Sequence, residues 1–152
     1  MTVVPECGLC KASHMRIGII GGTGPAGSGL ALRMSVAGHQ VLIGSRSKER
    51  SEEMVAELIA QWPDHNLKFD TGTNADAANC DLIVVATPWD STATIVGEHA
   101  EALRDKIVIT MANALVKVGK EFQPLVPPRG SIAAHVQAEI PGSRVVAAMQ
   151  HL

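Results

Sequence analysis

A glycine-rich turn between an apolar run and a helical stretch constrains this chain more than any other feature. Gly22-Thr23-Gly24-Pro25-Ala26-Gly27 follows the run MRIGIIG and opens a segment of helical character. A G-x-G-x-x-G between a strand and a helix has a defined physical use. The first glycine permits a tight turn, the second lets a diphosphate approach bare backbone, and the third lets helix and sheet pack closely. Gly22, Gly24 and Gly27 stand at those three places. Pro25 suits the first helical position but brings no N–H. Ala26 and Gly27 must then supply much of the amide contact to a phosphate, with Thr23 adding a hydroxyl.

The rest of the chain supplies the fold to match. From Met15 onward, apolar runs alternate with segments of helical period. Strands are expected at residues 15–21, 40–44, 67–70, 81–86, 106–110 and 144–149. Helices are expected at 25–37, 47–61, 90–103 and 131–140, with a brief helical turn at 74–79. Asp90 or Ser91 is the expected cap of the third of these helices. Residues 111–130, rich in proline, are expected to form an irregular loop. This alternation implies a Rossmann-type α/β fold, a doubly wound parallel sheet of about six strands with helices on both faces. Residues 15–152 form the domain in this reading, and residues 1–14 an unstructured leader.

Composition removes several classes of function. The chain has 152 residues, enough for one domain with a real core. Its 13 Lys and Arg are matched by 15 Asp and Glu, so no broad basic field points to nucleic acid. No apolar run approaches the roughly 20 residues needed to cross a bilayer. The first residues lack the pattern of a secretory signal, so a cytoplasmic protein without a membrane partner is expected. Cys7, Cys10 and Cys80 give no disulfide framework and fit a reducing compartment. Cys7 and Cys10 form a C-x-x-C with His14 close behind, but no second ligand pair completes a zinc site. No metal is therefore expected. No Ser-His-Asp order or H-E-x-x-H is present, which argues against a hydrolase.

The chemistry concentrates at the carboxyl ends of the strands, where ligands lie on this fold. A site for NAD usually places an acid at the end of the second strand, to bind the ribose hydroxyls. Here that end reads Gly44-Ser45-Arg46-Ser47-Lys48-Glu49-Arg50. Ser45 offers a hydroxyl, Arg46 a planar fork of donors, and Arg50 a second cation one helical turn on. This set suits the 2′-phosphate of NADP(H), whereas Lys48 reads as a solvated helix start. Thr87 and Pro88, after the fourth strand, should line the cofactor path near the ribose and nicotinamide. Trp89 either walls the partner site or packs. Asn113 either bonds the nicotinamide side or caps local backbone. His151, after the sixth strand, is placed to orient or protonate a substrate.

With these residues in view, MRIGIIGGTGPAGSGLALRMSVAGHQVLIGSRSKER resembles the start of the NADPH-dependent coenzyme F420 reductases, also called F420:NADP oxidoreductases. The similarity continues through TPWD, ITMANALVKVG, LVPPRGS and VVAAMQHL, over nearly all of residues 15–152. The GGTG turn and the GSR end of strand two are its most specific parts. The resemblance implies hydride transfer between NADP(H) and C5 of the deazaflavin ring of coenzyme F420, the co-substrate. It implies that Thr23 and its neighbours hold the pyrophosphate, and that Ser45, Arg46 and Arg50 hold the 2′-phosphate. Thr87, Asn113 and the His151-Leu152 segment would border the nicotinamide and deazaflavin. The cofactors carry the chemistry, so no catalytic acid or base is assigned. Members of the family continue into a C-terminal helical part that completes the deazaflavin pocket and the usual dimer contact. The expectation is a chain lacking that part, with a homodimer as the assembly. Two other readings share the nucleotide domain: another NADPH-dependent reductase, of ferric or imino-acid type, and a non-catalytic NADP-binding module.

Overall fold

The computed structural model describes residues 15–150. Residues 1–14, with Cys7, Cys10 and His14, and the substrate candidates His151 and Leu152 lie outside the described residues. In chain order the elements are β1 (Arg16–Ile20), α1 (Pro25–Val36), β2 (Gln40–Ser45), α2 (Lys48–Gln61), β3 (Phe69–Thr73) and the short α3 (Asn74–Ala78). There follow β4 (Leu82–Val85), α4 (Trp89–Glu98), β5 (Ile107–Thr110), β6 (Leu115–Val118), β7 (Glu121–Pro124), α5 (Ile132–Glu139) and β8 (Arg144–Ala147). Six strands form one sheet in the order β3-β2-β1-β4-β5-β8, every neighbouring pair parallel.

The period of two along each strand explains why the sheet is covered on both faces. Ile17, Ile19, Val41, Ile43 and Val84 pack with Leu30, Ala31 and Leu58 of α1 and α2. Their neighbours Ile20, Leu42, Ile83, Val85 and Val108 pack on the other side, with Ala77 and Ala78 of α3, Val96 of α4 and Val136 of α5. Strands buried on both faces read as continuous apolar runs, which is why IGII and LIVV stand out in the sequence. Each large side chain so buried contributes about 1.5–3 kcal/mol relative to exposure. No helix among the described residues is long and apolar enough to cross a membrane.

Small residues bring α3 onto the sheet. A Cβ on Gly18 would lie 2.1 Å from the Ala77 carbonyl oxygen, and one on Gly44 would lie 2.7 Å from the Ala77 methyl. The backbone of α3 therefore sits almost against β1 and β2. At its start, Thr73 and Asp76 form a reciprocal capping box, with Thr73 N–H and hydroxyl both donating to Asp76 Oδ2 at 2.8 Å.

Four sequence expectations are corrected here. Residues 111–130 are not wholly irregular: β6 and β7 form an antiparallel hairpin separate from the main sheet. Its two-residue turn begins at Gly119, whose φ of +63° suits the first central position of a type II′ turn. The flanking prolines masked this signal. The third strand runs two to three residues later than 67–70, because pairing with Val41–Ser45 of β2 fixes its register. The helix expected at 90–103 is Trp89–Glu98, after which turns carry the chain to the buried Leu103. Its N-cap is Pro88 without a side-chain cap bond, and neither Asp90 nor Ser91 fills that place.

Candidate functional site

The strand order reverses between β1 and β4, since β2 and β3 extend one way and β5 and β8 the other. At such a point the helices following the two central strands diverge and leave a crevice at the carboxyl ends. A cleft of about 390 Å³ opens there. Its lining comes from three places: the glycine turn (Gly21, Thr23, Gly24), the end of β2 with the start of α2 (Ser45, Arg46, Arg50), and the end of β4 with α4 (Ala86, Thr87, Pro88, Ser91, Ile95). Asn74 of α3 adds to it.

The glycines divide their work differently from the sequence expectation. The left-handed turn residue is Gly21, with φ of +73°, rather than Gly22. Gly22 is needed for packing, because a Cβ there would lie 3.0 Å from both the Ile19 carbonyl oxygen and Ile43 Cγ2. Gly27 is buried, and a Cβ on it would come within 2.8 Å of Gly22 Cα. Gly24 differs: its nearest neighbour would be the Gly21 carbonyl oxygen at 3.7 Å, so its missing side chain leaves open space in the cleft. Gly24 is also the N-cap of α1 and carries no side-chain cap. The N–H groups of Ala26 and Gly27, in the first turn, have no intrahelical acceptor. With the positive end of a 12-residue helix behind them, they suit an anion. Pro25 and Ala26 do not line the cleft and border a separate outer hollow with Gly29, Leu30 and Arg33.

At the end of β2, Ser45 is buried, and its Oγ lies 3.4 Å from Thr23 Oγ1. Ser51 of α2 fixes this end of the strand. Its hydroxyl donates to the Ile43 carbonyl and accepts from Gly72 N–H of β3. Arg46 and Arg50 are exposed, line the cleft, and have no carboxylate partner among the described residues. Lys48, by contrast, pairs with Glu52 at 3.6 Å and lines a different surface hollow with Arg16 and Asp70. Glu49, the acid of this stretch, does not line the cleft. Its own N–H and the Ser47 hydroxyl hold its carboxyl below the usual range.

Beyond β4, Thr92 Oγ1 donates to the Pro88 carbonyl at 2.8 Å, and the Thr87 hydroxyl lies 2.9 Å from Thr92. This pair fixes the Thr87 side chain, whose methyl abuts Gly21: a Cβ on Gly21 would lie 2.7 Å from Thr87 Cγ2. Trp89 is directed elsewhere. Its Nε1 donates to the Leu115 carbonyl of the hairpin at 3.0 Å, and the ring packs on the core. Asn113 also lies apart from the cleft. Its Nδ2 donates to the Gln150 carbonyl at 3.4 Å, beside a hollow of about 240 Å³ bounded by Ser131, Ala147 and Gln150. The structure thus gathers Thr23, Gly24, Ser45, Arg46, Arg50, Thr87 and Pro88 in the cleft lining; Gly22, Pro25, Ala26 and Gly27 stand behind it in the turn and first helical turn, and Trp89 and Asn113 lie outside. Sequence reasoning missed Asn74, although Thr73-Asn74-Ala75-Asp76 carries the spacing of a capping box and so marks a helix start at the end of a strand.

The strand order and the turn define a Rossmann-type domain, and the donor set suits a dinucleotide carrying an extra phosphate. Residues 16–114 match the family described as NADP oxidoreductase, coenzyme F420-dependent, and the chain belongs to that family. It is 34% identical to the F420-dependent NADP reductase of Methanocaldococcus jannaschii over 143 residues, which is 91% of this chain and 64% of that protein. The enzyme of the same name from Methanothermobacter thermautotrophicus is 34% identical over 102 residues, 66% of this chain and 44% of the relative. A crystal structure assigned as an F420-dependent NADP reductase, from Arthrobacter sp. FB24, superposes with a TM-score of 0.72 at 27% identity. It covers 91% of this chain and 63% of that one. The chain therefore spans less than two thirds of the length of the relatives it matches.

Proposed function

We propose that this chain is the nucleotide-binding part of an enzyme that transfers a hydride between NADP(H) and coenzyme F420. The observation that carries the nucleotide side is the end of β2. Two guanidiniums, from Arg46 and Arg50, stand beside a buried serine, and among the described residues they have no carboxylate partner and no acid lines the cleft. A 2′-phosphate satisfies that set, whereas the bare ribose of NAD would leave both cations without an anion.

In this reading Ala26 and Gly27 N–H groups and the Thr23 hydroxyl hold the diphosphate. Ser45, Arg46 and Arg50 hold the 2′-phosphate, and Thr87 and Pro88 border the ribose and nicotinamide. When bound, NADPH supplies the hydride, and one proton from water balances reduction of the deazaflavin. The residues orient and exclude water, and none needs to act as acid or base. The F420 side rests on family membership and on the names of the relatives. Trp89 is spent on the hairpin, and His151 and Leu152 lie outside the described residues. A cytoplasmic homodimer belongs to the same proposal.

The test mixes the protein with NADPH and oxidised F420 and follows loss of the deazaflavin absorbance, with NADPH binding measured in parallel. Turnover is expected. Tight NADPH binding without turnover would replace the enzyme with a binding module. Turnover with ferric chelates or a cyclic imine, but not with F420, would replace the acceptor.

A further inference from the structure

Two polar side chains in the cleft are not used by the nucleotide contacts above: Ser91, whose hydroxyl donates to the Pro88 carbonyl at 3.1 Å, and Asn74. Asn74 opens α3 at the carboxyl end of β3, and its Oδ1 accepts the N–H of Gly21 at 3.0 Å. Gly21 is the residue that takes the left-handed conformation at the head of the glycine turn. An N–H can be accepted only by the oxygen of a side-chain amide, so this bond orients the whole group. Oδ1 faces the turn and Nδ2 faces away from it. Nδ2 has no hydrogen-bond partner among the described residues, and no buried side-chain nitrogen or oxygen there lacks one. Nδ2 therefore reaches solvent.

Its position is informative. Asn74 lines the main cleft and also an adjoining hollow of about 240 Å³ that shares Ser45 and Arg46 with it. It thus stands between the glycine turn and the Ser45–Arg46 pair. An amide held by one end, with two protons of the other end free, presents a donor to an acceptor-rich ligand.

We propose that Asn74 has two roles in the cleft: it braces the glycine turn through Oδ1, and it donates through Nδ2 to an oxygen of the adenosine diphosphate portion of the dinucleotide. The proposal rests on the nucleotide reading of the cleft. It concerns the part common to NADPH and NADH, so it differs from the contacts of Arg46 and Arg50, which address the 2′-phosphate.

The discriminating variant is Asn74→Asp. An aspartate keeps an acceptor for Gly21 N–H but replaces the free donor with a second carboxylate oxygen. The thermal midpoint should hold, while the Kd for NADPH and for NADH should both rise by about tenfold or more. Asn74→Ala, which removes both functions, should lower the midpoint as well as the affinity. Asn74→Asp that binds both dinucleotides as tightly as the parent would overturn the proposal and leave a brace alone. As a measurement free of any variant, the assigned Asn74 side-chain amide resonance should shift on NADPH addition. A resonance that stays in place at saturation would also overturn it. The reading of the cleft fails separately, if the parent protein binds neither dinucleotide.

Discussion

Replacing Arg46 with alanine tests the electrostatic core of the cleft. The side chain is exposed and has no carboxylate partner among the described residues, so its removal should change stability by less than about 0.5 kcal/mol. Its effect on binding should be selective. A hydrogen bond to a charged group is worth about 1.5–3 kcal/mol. Solvent screens an exposed guanidinium, which favours the lower end of that range. At 1.4 kcal/mol per decade, the Kd for NADPH should rise about tenfold. NADH has no phosphate at that position, so its Kd should not change. Arg50 remains in the variant, and part of the preference for NADPH should remain with it. The preference of the parent should also shrink with salt, because the screening length falls from about 10 Å at 0.1 M to about 3 Å at 1 M. Titration calorimetry of both dinucleotides at two salt concentrations reads all of this. Equal weakening of NADPH and NADH, or a preference that ignores salt, would refute the argument.

Gly18→Ala should destabilise the fold by about 3 kcal/mol, at the top of the range for overpacking. The three atoms nearest the new Cβ would all be backbone of Ala77, at 2.1–3.0 Å, and α3 would have to lift off the sheet. Urea unfolding checks this, and a loss below about 0.5 kcal/mol would mean that α3 is not seated as described. Asp76→Ala should cost about 1 kcal/mol near neutral pH through loss of the capping box. The Thr73 N–H and hydroxyl hold the Asp76 carboxyl below the usual range, so its contribution is complete above the unfolded value, near about pH 4. It is then lost as pH falls through the lower, folded value. The stability gap between parent and variant should therefore be flat above about pH 5 and narrow on acidification. A gap that widens on acidification would contradict the sign.

The sequence carried the sheet because its strands are buried on both faces, and β1 and β4 advertise that as unbroken apolar runs. It carried the glycine turn because only glycine permits the approaches at Gly22 and Gly27. What it hid is mostly polar and non-local. A serine on a helix ordinarily faces water or its own helix, yet Ser51 joins Ile43 of β2 to Gly72 of β3, and Ser35 accepts Lys68 N–H. These bonds depend on which strand lies beneath, and spacing along the chain does not encode that. Asn74 was hidden for the same reason, since its partner Gly21 lies 53 residues away. The exposed hairpin buries too little apolar surface to leave a periodic trace, as all eight of its strand residues are exposed. For Trp89 and Asn113, which follow strand ends, the sequence leaves two places open, the cleft or packing for Trp89 and the nicotinamide side or a backbone cap for Asn113. The structure turns the first toward the hairpin and the second toward Gln150.

The reversal of strand order has a consequence for how this domain tolerates change. From the rim of β2 to that of β5 there are three inter-strand steps, through β1 and β4. At about 4.8 Å each, these separate the two rims by roughly 14 Å. Substitutions more than about 7–10 Å apart combine almost additively. On the proposed function, substitutions at the nucleotide-tail end of the sheet should therefore combine almost additively with substitutions at the rim of β5.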